Sequence, residues 1–199
     1  MSTAEHPEYR PGTALLVVDV QNDFADPNGS LYVQDGEHVV PIVNREIDRA
    51  QEAGVPVVYT KDWHPPDTPH FAEYGGKWPV HCMRDTWGAE FHPDLKVVGE
   101  TILKATGPED GYSGFSVTHL PSGERRETGL EQLLRDDGID HVVIVGLATD
   151  YCVKETALDA VRKRFAAEVL TAATRPVEVE PGDGDRALHD IEHAGVTLV

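Results

Sequence analysis

The feature that most constrains this chain is Ala14-Leu15-Leu16-Val17-Val18, a short run that is apolar at every position and closes on Asp19. A half-exposed strand alternates apolar and polar residues, whereas a continuous run fits a strand covered on both faces, as in a parallel sheet. The pattern returns at Val55–Thr60, more weakly at Glu100–Lys104, strongly at His141–Gly146, and again at Ala167–Leu170 and Val196–Val199. Helical periodicity fills the gaps over Val39–Ala53, Thr128–Asp137, Cys152–Arg164 and Asp185–His193, with Gly54, Gly138 and Gly195 placed as stops. Strands alternating with helices build βαβ units. The expected fold is therefore α/β: a single Rossmann-like, three-layer domain with a six-stranded, mainly parallel sheet and helices on both faces.

A length of 199 residues with 40% hydrophobic residues allows one well-buried core. We divide the chain into an N-terminal arm, residues 1–12, loose and polar, and a domain over 13–199. Within the domain, residues 63–94 are irregular and rich in Pro, Gly, His and Trp, and such a loop in a compact domain is usually functional. The formal net charge of −18 disfavours nucleic acid and anionic membrane surfaces as partners, because both would be repelled. Two cysteines make no disulfide framework, the N-terminus lacks the pattern of a secretory signal, and no stretch approaches the ~20 apolar residues of a membrane span. The expectation is a cytoplasmic protein with reduced thiols.

Open α/β sheets bind ligands beyond the carboxyl ends of their strands. Those ends deliver Asp19, then Asp62 and His64, then Lys104, and finally Gly146-Leu147-Ala148-Thr149-Asp150-Tyr151 leading into Cys152. Cys152 reads either as an inert buried thiol or as a nucleophile whose place at a strand-to-helix turn favours the thiolate. Asp19 reads as a turn residue or as a partly buried carboxylate with a raised pKa, able to take a proton. Lys104 is a solvated lysine or a cation that lowers the pKa of the thiol. Cys82, beside His81, is assigned no chemistry. Asp62, His64, His70 and His81 are loop decoration or the ligands of a divalent ion such as Zn, Fe or Mn.

Four ordered motifs carry a family resemblance. Val17-Val18-Asp19-Val20-Gln21-Asn22-Asp23-Phe24 resembles the opening motif of the isochorismatase-like cysteine hydrolases, and Gly146 to Val153 resembles their nucleophile motif. Lys61-Asp62-Trp63-His64, Pro69-His70-Phe71 and Trp78-Pro79-Val80-His81-Cys82 look like the metal segment of the nicotinamidases within that superfamily. Gly111-Tyr112-Ser113-Gly114-Phe115 completes the set. The resemblance implies a catalytic triad of Asp19, Lys104 and Cys152, with an oxyanion hole from the backbone N–H groups of Ala148 and Cys152. It implies one divalent metal, zinc above iron or manganese, on Asp62, His64 and His81, with His70 a ligand in some members. It implies a slot for a pyridine ring lined by Phe24, Leu31, Trp78, Tyr112 and Tyr151, and a cis peptide at Leu147–Ala148. Tyr151 stands where many members carry His, which bears on substrate preference.

The implied activity is hydrolysis of nicotinamide, and of pyrazinamide as a further small-molecule substrate, through a cysteine thioester, by a protein that forms homo-oligomers. An amidase acting on carbamoyl or ureido compounds is the nearest alternative, and the metal set counts against it. A non-catalytic module of the same fold is opposed by the intact Asp19, Lys104 and Cys152. A dinucleotide-binding protein is disfavoured because Asp19-Val20-Gln21-Asn22 follows the first strand in place of a glycine-rich turn.

Overall fold

The computed structural model of the chain describes residues 6–199, so the first five residues of the N-terminal arm lie outside the described residues. Residues 6–12 run against a helix: Tyr9 Oη donates to Glu46 Oε2 at 3.0 Å and Arg49 donates to the Pro7 carbonyl at 2.8 Å.

Six strands form one sheet: β1 (Thr13–Val18), β2 (Val57–Asp62), β3 (Glu100–Lys104), β7 (His141–Leu147), β8 (Ala166–Arg175) and β9 (Thr197–Leu198). Their order is β3-β2-β1-β7-β8-β9 and every pairing is parallel. The helices are α1 (Asn22–Ala25), α2 (Val40–Glu52), α3 (Leu130–Asp136), α4 (Lys154–Arg162) and α5 (Asp183–His193). In β1 the side-chain period of two sends Leu15 and Val17 to the core under α2, with Val43 and Ile47. Ala14, Leu16 and Val18 go to the opposite core, with Leu130 of α3, Ala157 of α4 and Ile191 of α5. Both faces are thus covered, which is why every residue of β1 is buried. Each fully buried leucine there stabilises the fold by about 1.5–3 kcal/mol.

Several boundaries differ from the sequence expectation. β2 starts and ends two residues later than expected, which brings Asp62 into the strand, and β8 continues to Arg175. The helix expected from Cys152 begins at Lys154; the preceding residues Thr149–Val153 form a wider π-type turn, with Val153 N–H bonded to the Ala148 carbonyl at 3.0 Å. A second, antiparallel sheet of β4 (Glu109–Asp110), β5 (Ser116–His119) and β6 (Glu124–Glu127) was not expected at all. β6 reads Glu-Arg-Arg-Glu and is exposed throughout, so it has no apolar alternation to betray it. Among the described residues no helix is long and apolar enough to cross a membrane.

The backbones approach closely where β7 passes β1. Gly146 has φ +113°, and a Cβ there would lie 2.1 Å from the Val18 carbonyl oxygen. Gly146→Ala forces apart the two strands whose ends carry Asp19 and Cys152. We expect it to lower unfolding free energy by ~3 kcal/mol or more, read as a shift in the urea midpoint.

Candidate active site

Asp19, Asp62 and Lys104 come from three adjacent strand ends, and Asp62 and Lys104 are register partners across β2 and β3. Lys104 is 1% exposed, and its Nζ donates to Asp62 Oδ1 at 2.5 Å, to the Gly111 carbonyl at 2.5 Å and to Cys152 Sγ at 3.6 Å. Asp19 Oδ2 lies 2.8 Å from the same ammonium but outside hydrogen-bonding alignment, while Thr60 Oγ1 donates to Oδ1 at 2.7 Å. Oδ2 is thereby left with acceptor capacity beside the thiol. The backbone of Asp19 is left-handed, with φ +47°, which turns the chain sharply off β1.

The electrostatics of this cluster act on Cys152 in opposite directions. Burial pushes the Cys152 thiol well above its usual range, and Asp19 and Asp62 add to that push, so the pull of Lys104 is outweighed. Cys152 rests as a thiol. Burial also raises Asp19 to about 6, against the opposing pull of Lys104. Burial raises Asp62 as well, but attraction to Lys104 overrides it and holds that carboxyl low. Two carboxylates keep the Lys104 ammonium charged despite its burial.

The histidines of the irregular segment converge on the far side of Asp62. His64, His70 and His81 bring ligand atoms within 4.8 Å of one another, and Asp62 Oδ2 is 3.8 Å from His64 Nε2. Both ring nitrogens of His64 are buried without a hydrogen-bond partner, which is costly unless something else binds one of them. His81 Nδ1 meets the Pro79 carbonyl at 2.8 Å and His70 Nδ1 meets Asp110, leaving each Nε2 for a metal. Burial lowers the pKa of His64 to about 3 and of His81 to about 4, so both are neutral, as ligands must be. The donor set fits a divalent cation.

Beside this cluster and Cys152 lies a slot lined by Phe24, Leu31, Trp78, Tyr112, Tyr151, Ala148 and Val177. All five ring-slot residues expected from sequence are in it. The Leu147–Ala148 peptide is cis. Ala148 and Cys152 are each 7% exposed, toward the slot.

Several supporting residues were not singled out from sequence. Gln21 clamps β2 by donating to the Asp62 carbonyl and accepting from the Asp62 N–H, both at 2.8 Å. Asp23 accepts the Cys82 N–H at 2.7 Å, pinning the histidine segment to α1. Asp150 accepts the N–H groups of Val177 and Glu178 at 2.8 and 3.0 Å and so brings Val177 to the slot. Gln21 and Asp23 lie inside the opening motif and could have been taken from it. Asp150 likewise lies inside the nucleophile motif, whereas Asp110 gave no signal beyond its charge.

The chain is similar to known proteins over most of its length. Residues 13–199 match the isochorismatase domain family. The chain is 38% identical to a nicotinamidase of Escherichia coli over 94% of each chain. It is also 38% identical to a nicotinamidase/pyrazinamidase of Mycobacterium tuberculosis, over 94% of this chain and 97% of that one. The crystal structure of a pyrazinamidase of Pyrococcus horikoshii in complex with zinc superposes with a TM-score of 0.84, at 42% identity, over 95% of this chain and 99% of that one. The protein belongs to the isochorismatase domain family.

The orphaned nitrogens of His64 and the Asp110 contact to His70 generate a metal-binding prediction. His64→Ala is expected to lose stoichiometric zinc, and Asp110→Asn to weaken zinc affinity by about 10–100-fold, both read by metal analysis after equilibrium dialysis.

Proposed function

We infer that this protein is a nicotinamidase, a hydrolase that converts nicotinamide to nicotinic acid and ammonia. The observation that carries the reading is the position of Cys152: it lines an aromatic slot, 3.6 Å from Lys104, with the histidine cluster on the same slot. Relatives named as nicotinamidases, at 38% identity over most of the chain, support it.

In the proposed reaction Asp19 takes the proton of the Cys152 thiol as the sulfur attacks the carboxamide carbon. A thiol with a raised pKa is a strong nucleophile once deprotonated, and Asp19, at about 6, is ionised at neutral pH yet able to return a proton. Lys104 holds the carboxylate and the developing thiolate together. The oxyanion rests on the backbone N–H groups of Ala148 and Cys152. Asp19 protonates the departing nitrogen as ammonia, leaving a thioester on Cys152. Asp19 then draws a proton from water, which attacks the thioester; the sulfur leaves, recovers its proton, and nicotinic acid is released.

Phe24, Leu31, Trp78, Tyr112 and Tyr151 stack against and enclose the ring. His64, His70, His81 and Asp62 would hold one divalent ion, for which zinc is proposed on the donor set. When bound, that ion supplies a Lewis-acid anchor for the ring nitrogen. Pyrazinamide has the same outline and is expected to be a second substrate. The reaction fits NAD salvage in the cytoplasm.

The test is ammonia release from nicotinamide by metal-loaded protein. Activity should fall on chelation and return with zinc, and Cys152→Ala should lower kcat on the order of a thousandfold or more. No release by folded, metal-loaded protein overturns the reading. Because Asp19 must be ionised to accept the thiol proton, kcat/KM is expected to fall about tenfold per pH unit below about 6. A profile flat down to pH 4.5 would remove Asp19 as the base.

A further inference from the structure

The slot is narrow. The cavity between Phe24, Trp78, Tyr112, Tyr151 and Cys152 measures about 30 Å³, well below the roughly 150 Å³ of an enclosed cavity that takes up benzene. The size of ring it admits therefore depends on where its outer wall stands. That wall is a set of three rings. Trp78 Nε1 donates to Tyr112 Oη at 2.8 Å, and Tyr151 stands edge-on to Trp78 with centroids 4.9 Å apart and 5.8 Å from Tyr112. Trp78 is buried, while Tyr151 is half-buried and its hydroxyl turns outward.

What meets that hydroxyl is Lys77. Its Nζ donates to Tyr151 Oη at 2.7 Å and also lies 4.5 Å from the Trp78 ring centroid and 4.7 Å from that of Tyr151. An exposed lysine ordinarily keeps its rotamer freedom; this one touches both rings and the hydroxyl at once. The backbone sets it there. Between Phe71 and Trp78 the chain closes a loop, with Gly76 N–H bonded to the Phe71 carbonyl at 2.9 Å and Ala72 N–H to the Trp78 carbonyl at 2.7 Å. A Cβ on Gly76 would lie 2.1 Å from the His70 carbonyl oxygen, so the loop admits only glycine at that point. One loop thus presents His70 inward and Lys77 to the rim.

We propose that Lys77 is a specificity-determining positioning residue, which holds Tyr151 against Trp78 and so limits the size of ring that the slot admits. The cation–π contacts and the hydrogen bond act on the same side chain, and both are lost together when the ammonium is removed. The proposal rests on the slot being the reaction site, and its test is chosen to need no turnover.

The test compares alkylation of Cys152 by iodoacetamide and by the bulkier iodoacetanilide in zinc-loaded protein, followed by peptide mass spectrometry. Cys82 is fully buried and serves as the unreactive reference. A change in thiol ionisation scales both rates alike, whereas a loosened wall speeds the bulky reagent more. In Lys77→Met the ratio of bulky to small reagent is expected to rise about tenfold, and Lys77→Arg, which keeps the cation, should restore the wild-type ratio. Turnover of ring-substituted nicotinamides should rise in Lys77→Met relative to nicotinamide, through KM and not kcat. An unchanged alkylation ratio in Lys77→Met overturns the proposal, whatever the activity on nicotinamide. Failure of ammonia release with a raised ratio overturns only the assigned substrate.

Discussion

The site is organised around a buried ammonium. Lys104 has almost no contact with water, and a lone charge in that position would cost several kcal/mol. Its hydrogens find Asp62, the Gly111 carbonyl and Cys152, while Asp19 supplies the second counter-charge. Removing either carboxylate leaves the cation short of compensation inside the protein. The ends of β1, β2 and β3 are therefore tied to each other through one side chain, and Cys152 is held beside it by the neighbouring β7. The same contacts that make the charge tolerable make a thiol, a base and a cation adjacent.

Asp62 divides its two oxygens between two tasks. One oxygen faces Lys104 and the other faces His64. The histidine cluster and the Lys104–Cys152 pair are thus two halves of one polar core, joined by a carboxylate whose strand is itself clamped by Gln21. Outside that core two of the histidines have a supporting contact of their own, Asp110 for His70 and the Pro79 carbonyl for His81. His64 has none, and it is the member whose nitrogens are left for a ligand.

Much of this was legible in the sequence because it follows from burial. Runs such as Ala14–Val18 and His141–Gly146 are apolar on both faces, and a parallel sheet places their ends, with Asp19 and Cys152, on one rim. The ring-slot residues and the histidines needed the family resemblance, since spacing alone cannot tell a ligand from loop decoration. Two features escaped. The small antiparallel sheet is short and its outer strand β6 is exposed and charged throughout, yet the sheet carries Asp110 to His70 and leads into Gly111 beneath Lys104. The second is the depth of burial at Cys152, which raises the thiol against the pull of Lys104 and is a property of the folded molecule.

The strand order has a consequence for how the chain becomes active. β1 lies between β2 and β7, so the first strand made pairs on one side with residues 57–62 but waits for residues 141–147 on the other. Contacts of such long sequence separation form late, after the entropy of closing a long loop has been overcome. A growing chain therefore holds Asp19 and Lys104 before Cys152, which faces them, has been made. The reactive centre comes into being only with the closing of the sheet, so chemistry is confined to molecules that have completed their fold.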